Sequence, residues 1–113
     1  MELEKLAMTL VLLLAKALKI HKKEMVIKDL FEDGMRSVRI TYYPPCPQPE
    51  LVVGLTPHSD VDAITILHQL NGVDGLEIIK DGVWMPVSVP QQAFVVNVGD
   101  ILEVFHIIII SNQ

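Results

Sequence analysis

Four prolines fall within six residues, at Pro44, Pro45, Pro47 and Pro49. Each fixes φ near −65° and withholds a backbone N–H. No helix and no interior strand can run through such a stretch, so it must be an extended loop dividing the chain. The hydrophobic period differs on its two sides. Before it, Leu3, Leu6, Leu10, Leu13, Leu14 and Ala17 recur at helical spacing, with Glu4, Lys5, Lys16 and Lys19 on the wetter side. A second helix is expected from near Lys22 to Phe31, with Ile27, Leu30 and Phe31 as its apolar face and Gly34 ending it. Val38, Ile40 and Tyr42 then alternate with Arg39, Thr41 and Tyr43, which predicts a strand leading into the prolines.

Beyond the loop, short strands dominate. They are expected at Val52 to Thr56, Ala63 to Gln69, Leu76 to Lys80, Val83 to Val87 and Ala93 to Asn97, with Asp81-Gly82 as a two-residue hairpin turn. Helices followed by short antiparallel strands predict an α+β chain: two N-terminal helices and an incomplete jelly-roll core. No internal repeat or linker interrupts it. At 113 residues it is one domain at most, with residues 1–34 as a helical segment preceding a core of residues 35–113.

A formal charge of −5 and scattered basic residues argue against nucleic acid as a partner. The apolar run from Leu6 to Ala15 is too short to span a bilayer, and Glu2 and Glu4 stand where a secretory signal needs basic residues. No membrane association is expected. The one cysteine, Cys46, has no partner within the chain for a disulfide, which suits a reducing, cytoplasmic setting.

Chemistry concentrates just after the loop, at His58-Ser59-Asp60. Two residues apart on a strand, an imidazole and a carboxylate share a face. Together they make two-thirds of the two-His, one-carboxylate set that holds non-haem Fe(II), whereas Ca(II) prefers oxygens alone. By itself the pattern is weak and more often marks a loop His and a turn Asp. Asp62 is a nearby rival carboxylate. Of the other histidines, His68 reads as structural within a strand, His21 falls at the interhelix turn, and His106 is a remote candidate for a replacement ligand. Trp84, in a hairpin strand, is expected to cover core or line a barrel mouth, and Asp100 to cap a short helix after Gly99.

The ordered segments Thr41-Tyr42-Tyr43-Pro44-Pro45-Cys46-Pro47-Gln48-Pro49-Glu50-Leu51 and Gly54-Leu55-Thr56-Pro57-His58-Ser59-Asp60 closely resemble the plant Fe(II)/2-oxoglutarate-dependent dioxygenases. The likeness is nearest the flavonoid, alkaloid-demethylase and senescence-related subgroup. It extends through Asp81-Gly82-Val83-Trp84 and Val95-Val96-Asn97-Val98-Gly99-Asp100-Ile101-Leu102-Glu103, covering about residues 1 to 105. The resemblance implies Fe(II) as cofactor, 2-oxoglutarate as co-substrate, and a small plant metabolite that is hydroxylated, demethylated or desaturated. It carries the metal ligands onto His58 and Asp60 and an oxoglutarate-binding tyrosine onto Tyr43, beside which Thr41 replaces the family's Asn. A core aromatic is the competing reading of Tyr43. Cys46 in the proline loop is a feature of the family.

The resemblance ends early. The family continues with a strand, a distal His ligand and an Arg-x-Ser pair that grips oxoglutarate, where this chain reads Val104-Phe105-His106 followed by Ile107 to Ile110. Neither Arg36 nor Arg39 is expected to substitute. The apolar, β-prone tail reads as out-of-frame or alternative-exon sequence, and a chain truncated at its C-terminus is the expectation. Two functions follow: an iron-dependent dioxygenase with a metal half-site and low or no activity as written, or a non-catalytic fragment, unstable or self-associating through an open sheet edge.

Overall fold

In the computed structural model, residues 2–18, 31 and 33–110 are described. The chain divides into two compact units, Met1–Ser59 and Asp60–Gln113. The expected second helix, Lys22 to Phe31, lies outside the described residues apart from Phe31, and His21 lies outside them too.

In the first unit, helix α1 spans Glu2–Ala17. Acidic Glu2 and Glu4 in its first turn and Lys16 in its last complement the helix dipole. Its buried side chains are Val11 and Ala15, one turn apart. The buried stripe is thus rotated from the expected one, since Leu3, Leu13 and Ala17 are exposed and Leu6, Leu10 and Leu14 are half-buried. A run as apolar as Val11-Leu12-Leu13-Leu14-Ala15 offers several faces of nearly equal hydropathy, so periodicity alone does not choose between them. Arg36 reaches back to Glu4, with 3.1 Å between guanidinium and carboxylate.

The strands expected at residues 38–43 and 52–56 do not form; residues 34–46 have no regular structure, and a short 3-10 turn, Pro49–Leu51, follows the prolines. Alternation specifies which side chains share a face, but a strand also needs a neighbouring backbone to satisfy its N–H and C=O groups.

The second unit is antiparallel. Strands β1 (Ile64–His68), β2 (Glu77–Lys80), β3 (Val83–Pro86) and β4 (Phe94–Val98) form two two-stranded sheets. β1 pairs with β4, from Ile64 opposite Val98 to His68 opposite Phe94. β2 pairs with β3, from Glu77 opposite Pro86 to Lys80 opposite Val83, and Val87 N–H to Leu76 O at 2.9 Å adds one further bond. The β2–β3 turn is Asp81-Gly82 with φ of 52° and 77°. Both central residues are left-handed, as in a type I′ turn, whose twist matches that of the flanking strands. All four expected segments from Ala63 onward are strands, each shifted or trimmed by a residue or two.

Helix α2 (Asp100–Ile110) closes the description. Glu103 N–H bonds to Gly99 O at 3.2 Å, so Gly99 occupies the capping position and Asp100 is already the first helical residue. The helix is longer than expected and runs through the isoleucines. A β-branched residue loses only a few tenths of a kcal/mol of helix propensity relative to good helix formers. A turn nucleated at Gly99 satisfies the backbone locally, which an unpartnered strand cannot do.

With helices and antiparallel strands, the chain is α+β. Among the described residues, Val11 and Ala15 are the buried apolar side chains, and the hairpin strands β2 and β3 are exposed on both faces. Backbone hydrogen bonding, more than a packed apolar core, therefore defines the second unit. No helix among the described residues is long and apolar enough to cross a membrane.

Candidate metal-ligating segment

His58-Ser59-Asp60 lies in irregular backbone between the 3-10 turn and β1. The strand expected to carry it is not there, so strand parity does not explain how its side chains are aimed. Pro57 can donate no ladder bond. The Asp60 carbonyl is instead taken by the first N–H of α2, from Asp100 at 2.8 Å.

In the first unit, His58 Nδ1 lies 2.8 Å from Thr56 O. A carbonyl only accepts, so Nδ1 is the donor of this bond, and in the neutral tautomer that donates from Nδ1 the lone pair falls on Nε2. Metal-ligating histidines are commonly fixed in this way, the second ring nitrogen donating to a backbone carbonyl.

In the second unit, Asp60 is half-buried. Asn97, in β4, donates from its Nδ2 to Asp60 Oδ2 at 3.2 Å. The direction is set by the acceptor, since an ionised carboxylate cannot donate. Two residues on, Gly99 N–H bonds to Ala63 O at 2.9 Å. Gly99 is buried, and a Cβ there would sit 1.9 Å from Asp62 O and 2.9 Å from Asp60 O. The position thus demands glycine because backbone occupies the side-chain space. Asp62, the rival carboxylate, is exposed.

Tyr43 belongs to the first unit and is 56% exposed, so the core reading of it does not hold. Its ring lies over Gly54, where a Cβ would be 3.1 Å from Tyr43 Cε1. His68 packs on Phe94 across the β1–β4 pair, ring centroids 5.0 Å apart and tilted by 56°. His106 is half-buried on α2. Trp84, expected over core, is 46% exposed on β3. Cys46 is exposed with a free thiol. Among the described residues no group of three or more His, Cys, Asp or Glu side chains is gathered to hold a metal ion.

By donor type, an imidazole and a carboxylate each suit a borderline divalent cation such as Fe(II). A carboxylate has about four lone-pair sites, so one hydrogen bond to Oδ2 does not preclude metal binding. Asn97 was not singled out by sequence reasoning. Its signal is a lone amide in the apolar run Val95-Val96-Asn97-Val98, where a half-buried polar side chain calls for a partner.

The profile of the 2OG-Fe(II) oxygenase superfamily matches residues 35–108. The chain is 50% identical over 103 residues to oxoglutarate-dependent flavonoid 7-O-demethylase 1 of Ocimum basilicum, covering 91% of this chain and 27% of that protein. It is 49% identical over 104 residues to thebaine 6-O-demethylase of Papaver somniferum, covering 91% and 29%. To codeine O-demethylase of the same plant it is 59% identical over 76 residues, covering 67% and 21%. The chain therefore spans less than a third of the length of these relatives. With more than half of its length matched by the profile, the chain belongs to the 2OG-Fe(II) oxygenase superfamily.

Proposed function

We propose that this chain carries the metal-binding half of an Fe(II)/2-oxoglutarate-dependent dioxygenase acting on a small plant metabolite. Residues 35–113 would be part of a jelly-roll domain, with His58 and Asp60 as two protein ligands and Tyr43 directed to the co-substrate. The observation that supports the reading is the His58 Nδ1 bond to Thr56 O, which in the neutral ring leaves the lone pair on Nε2, the nitrogen that would face a metal. When bound, Fe(II) supplies the redox chemistry that couples oxidation of 2-oxoglutarate to oxidation of the metabolite. The residues of this chain hold and orient. His58 presents Nε2, Asp60 offers a carboxylate whose negative charge suits a hard or borderline cation, and the Tyr43 hydroxyl can donate to a carboxylate. Hydroxylation, demethylation or desaturation are the reaction types proposed, with a reducing, cytoplasmic setting consistent with the exposed thiol of Cys46.

Anaerobic titration with Fe(II) and 2-oxoglutarate tests the proposal. A weak visible charge-transfer band is expected for the chain, and its loss in both His58→Ala and Asp60→Ala. A band of equal strength in the two variants, or none in the parent chain, would remove the metal assignment.

A second, non-catalytic reading is favoured by one specific observation. Ile78, Ile79, Val83, Trp84 and Met85 are all at least 36% exposed on a two-stranded sheet. Such a ribbon offers unpaired backbone edges and apolar faces to a second copy of the chain. Sedimentation velocity over a range of concentrations separates the readings. Self-association abolished by Ile79→Lys, without the metal-dependent band, supports the second.

A further inference from the structure

Asp60 is held at two points by a single short stretch of chain. From residue 97 to residue 100, successive groups close on residues 60–63: the Asn97 amide on Asp60 Oδ2 at 3.2 Å, Gly99 N–H on Ala63 O at 2.9 Å, and Asp100 N–H on Asp60 O at 2.8 Å. The missing Cβ of Gly99 admits the carbonyls of Asp62 and Asp60 between these bonds. The two backbone bonds fix where the Cα of Asp60 lies but leave its side-chain torsions open. The Asn97 amide acts on the carboxylate itself.

The position of Asn97 suits that task. In the β1–β4 pairing it stands opposite Thr65, one residue pair in from the Ile64–Val98 end. Thr65, Leu67, Val95 and Asn97 share one face of the pair, as strand alternation requires. Along that face Asn97 and Thr65 form the residue pair at the Ile64–Val98 end. Both Asn97 and Asp60 are half-buried, so their hydrogen bond is partly shielded from competing water. A strand residue is also a stiffer support than a loop residue for a group that must hold its aim.

We propose that Asn97 is a positioning residue for Asp60, holding the carboxylate in the rotamer in which it binds a divalent cation. The inference rests on the metal reading of Asp60 given above, and the experiment keeps the two apart. Removing outer-shell partners of metal ligands typically weakens metal affinity by about 10–100-fold.

The probe is Mn(II) alone, with free ion counted by electron paramagnetic resonance, on the 113-residue chain and on Asn97→Ala, Asp60→Ala and the double variant. Asn97→Ala is expected to weaken Mn(II) binding by about tenfold or more in the parent background and to have no further effect once Asp60 is alanine. A loss of equal size in both backgrounds would show Asn97 acting on the fold rather than through Asp60, and would overturn the proposal. So would an unchanged affinity in Asn97→Ala where Asp60→Ala binds weakly. If Asp60→Ala binds Mn(II) as well as the parent, the metal reading of Asp60 is the part that fails. The metal-free amide spectrum then decides the positioning claim: the side-chain NH2 pair assigned to Asn97 by its loss in Asn97→Ala must shift in Asp60→Ala. An unmoved pair refutes it.

Discussion

Replacing Gly99 with alanine puts the β4–α2 junction to its most direct test. The added Cβ would lie 1.9 Å from Asp62 O, 2.8 Å from Asp62 C and 2.9 Å from Asp60 O. An ordinary carbon–oxygen contact is about 3.3 Å, so the Asp62 carbonyl must retreat by roughly 1.4 Å. All three atoms belong to backbone, so no side-chain rotation relieves the clash. A retreat of that size pulls on the bonds from Gly99 N–H to Ala63 O and from Asp100 N–H to Asp60 O, now 2.9 and 2.8 Å. Overpacking costs about 1–3 kcal/mol and each hydrogen bond about 1 kcal/mol. Because the chain can share the displacement between these terms, a net loss of about 3 kcal/mol is expected. That is a large fraction of the 5–15 kcal/mol typical of a folded domain. Urea unfolding followed by circular dichroism reads it: at about 1–3 kcal/mol per molar urea, the midpoint should fall by about 1–3 M. Gly75→Ala is the internal control. Nothing lies within 4 Å of a Cβ there and its φ is not left-handed. It should be neutral, or stabilising by up to about 1 kcal/mol through the unfolded chain. Midpoints for the two variants within experimental error of each other would refute the claim that Gly99 is required by close backbone approach.

The hairpin offers a separate test, because Gly82 has φ of 77° with open space around it. Gly82→Ala should cost about 1–2 kcal/mol from backbone strain alone, seen as faster amide exchange at Val83 and Val87 with no change near Asp60; unchanged exchange at Val83 and Val87 would count against the left-handed turn. Tyr43→Phe should weaken 2-oxoglutarate binding by about tenfold while leaving Fe(II) affinity alone, the loss expected for a hydrogen bond to a charged group. Equal oxoglutarate affinities would return Tyr43 to a packing role against Gly54.

What could be read from the residues, and what could not, divides along physical lines. The β2–β3 hairpin was legible because Asp81-Gly82 supplies two residues that tolerate positive φ between two apolar runs, so turn and register are encoded locally. Strands β1 and β4 were legible as elements, though their pairing was not. They meet across 25 intervening residues, and nothing in either segment names its partner. The expected strand at residues 38–43 failed for the complementary reason: alternation was present, and among the described residues a partner backbone was not. The isoleucines of α2 reverse the lesson, since β-branched residues follow a helix once Gly99 and Asp100 have started it.

The same division explains the candidate site. His58 and Asp60 stood out because imidazole and carboxylate have a recognised chemistry and sit within motifs that resemble a known family, but the contacts on them come from residues with no such chemistry. The carbonyl of Thr56 sets the His58 tautomer, and the amide of Asn97 sets the Asp60 carboxylate. Asn97 lies 37 positions from Asp60, too far along the chain for any local pattern to couple them. Gly99 carries the coupling in backbone alone, through a side chain that is absent and two amide bonds. Candidate ligands are therefore easier to find in a sequence than the groups that would aim them. A ligand must have a particular functional group, whereas its support needs only a donor or a space at the right point, which many residue types supply. If this is right, exchanging Thr56 for valine should leave His58 Nδ1 bonded as before, because the acceptor is backbone. Exchanging Asn97 for valine should release the Asp60 carboxylate. The two changes are similar in size and differ only in whether the supporting contact passes through the side chain. Nitrogen chemical shifts of the His58 ring should stay constant in Thr56→Val, and a change of tautomer there would show that the hydroxyl, not the carbonyl, holds the imidazole.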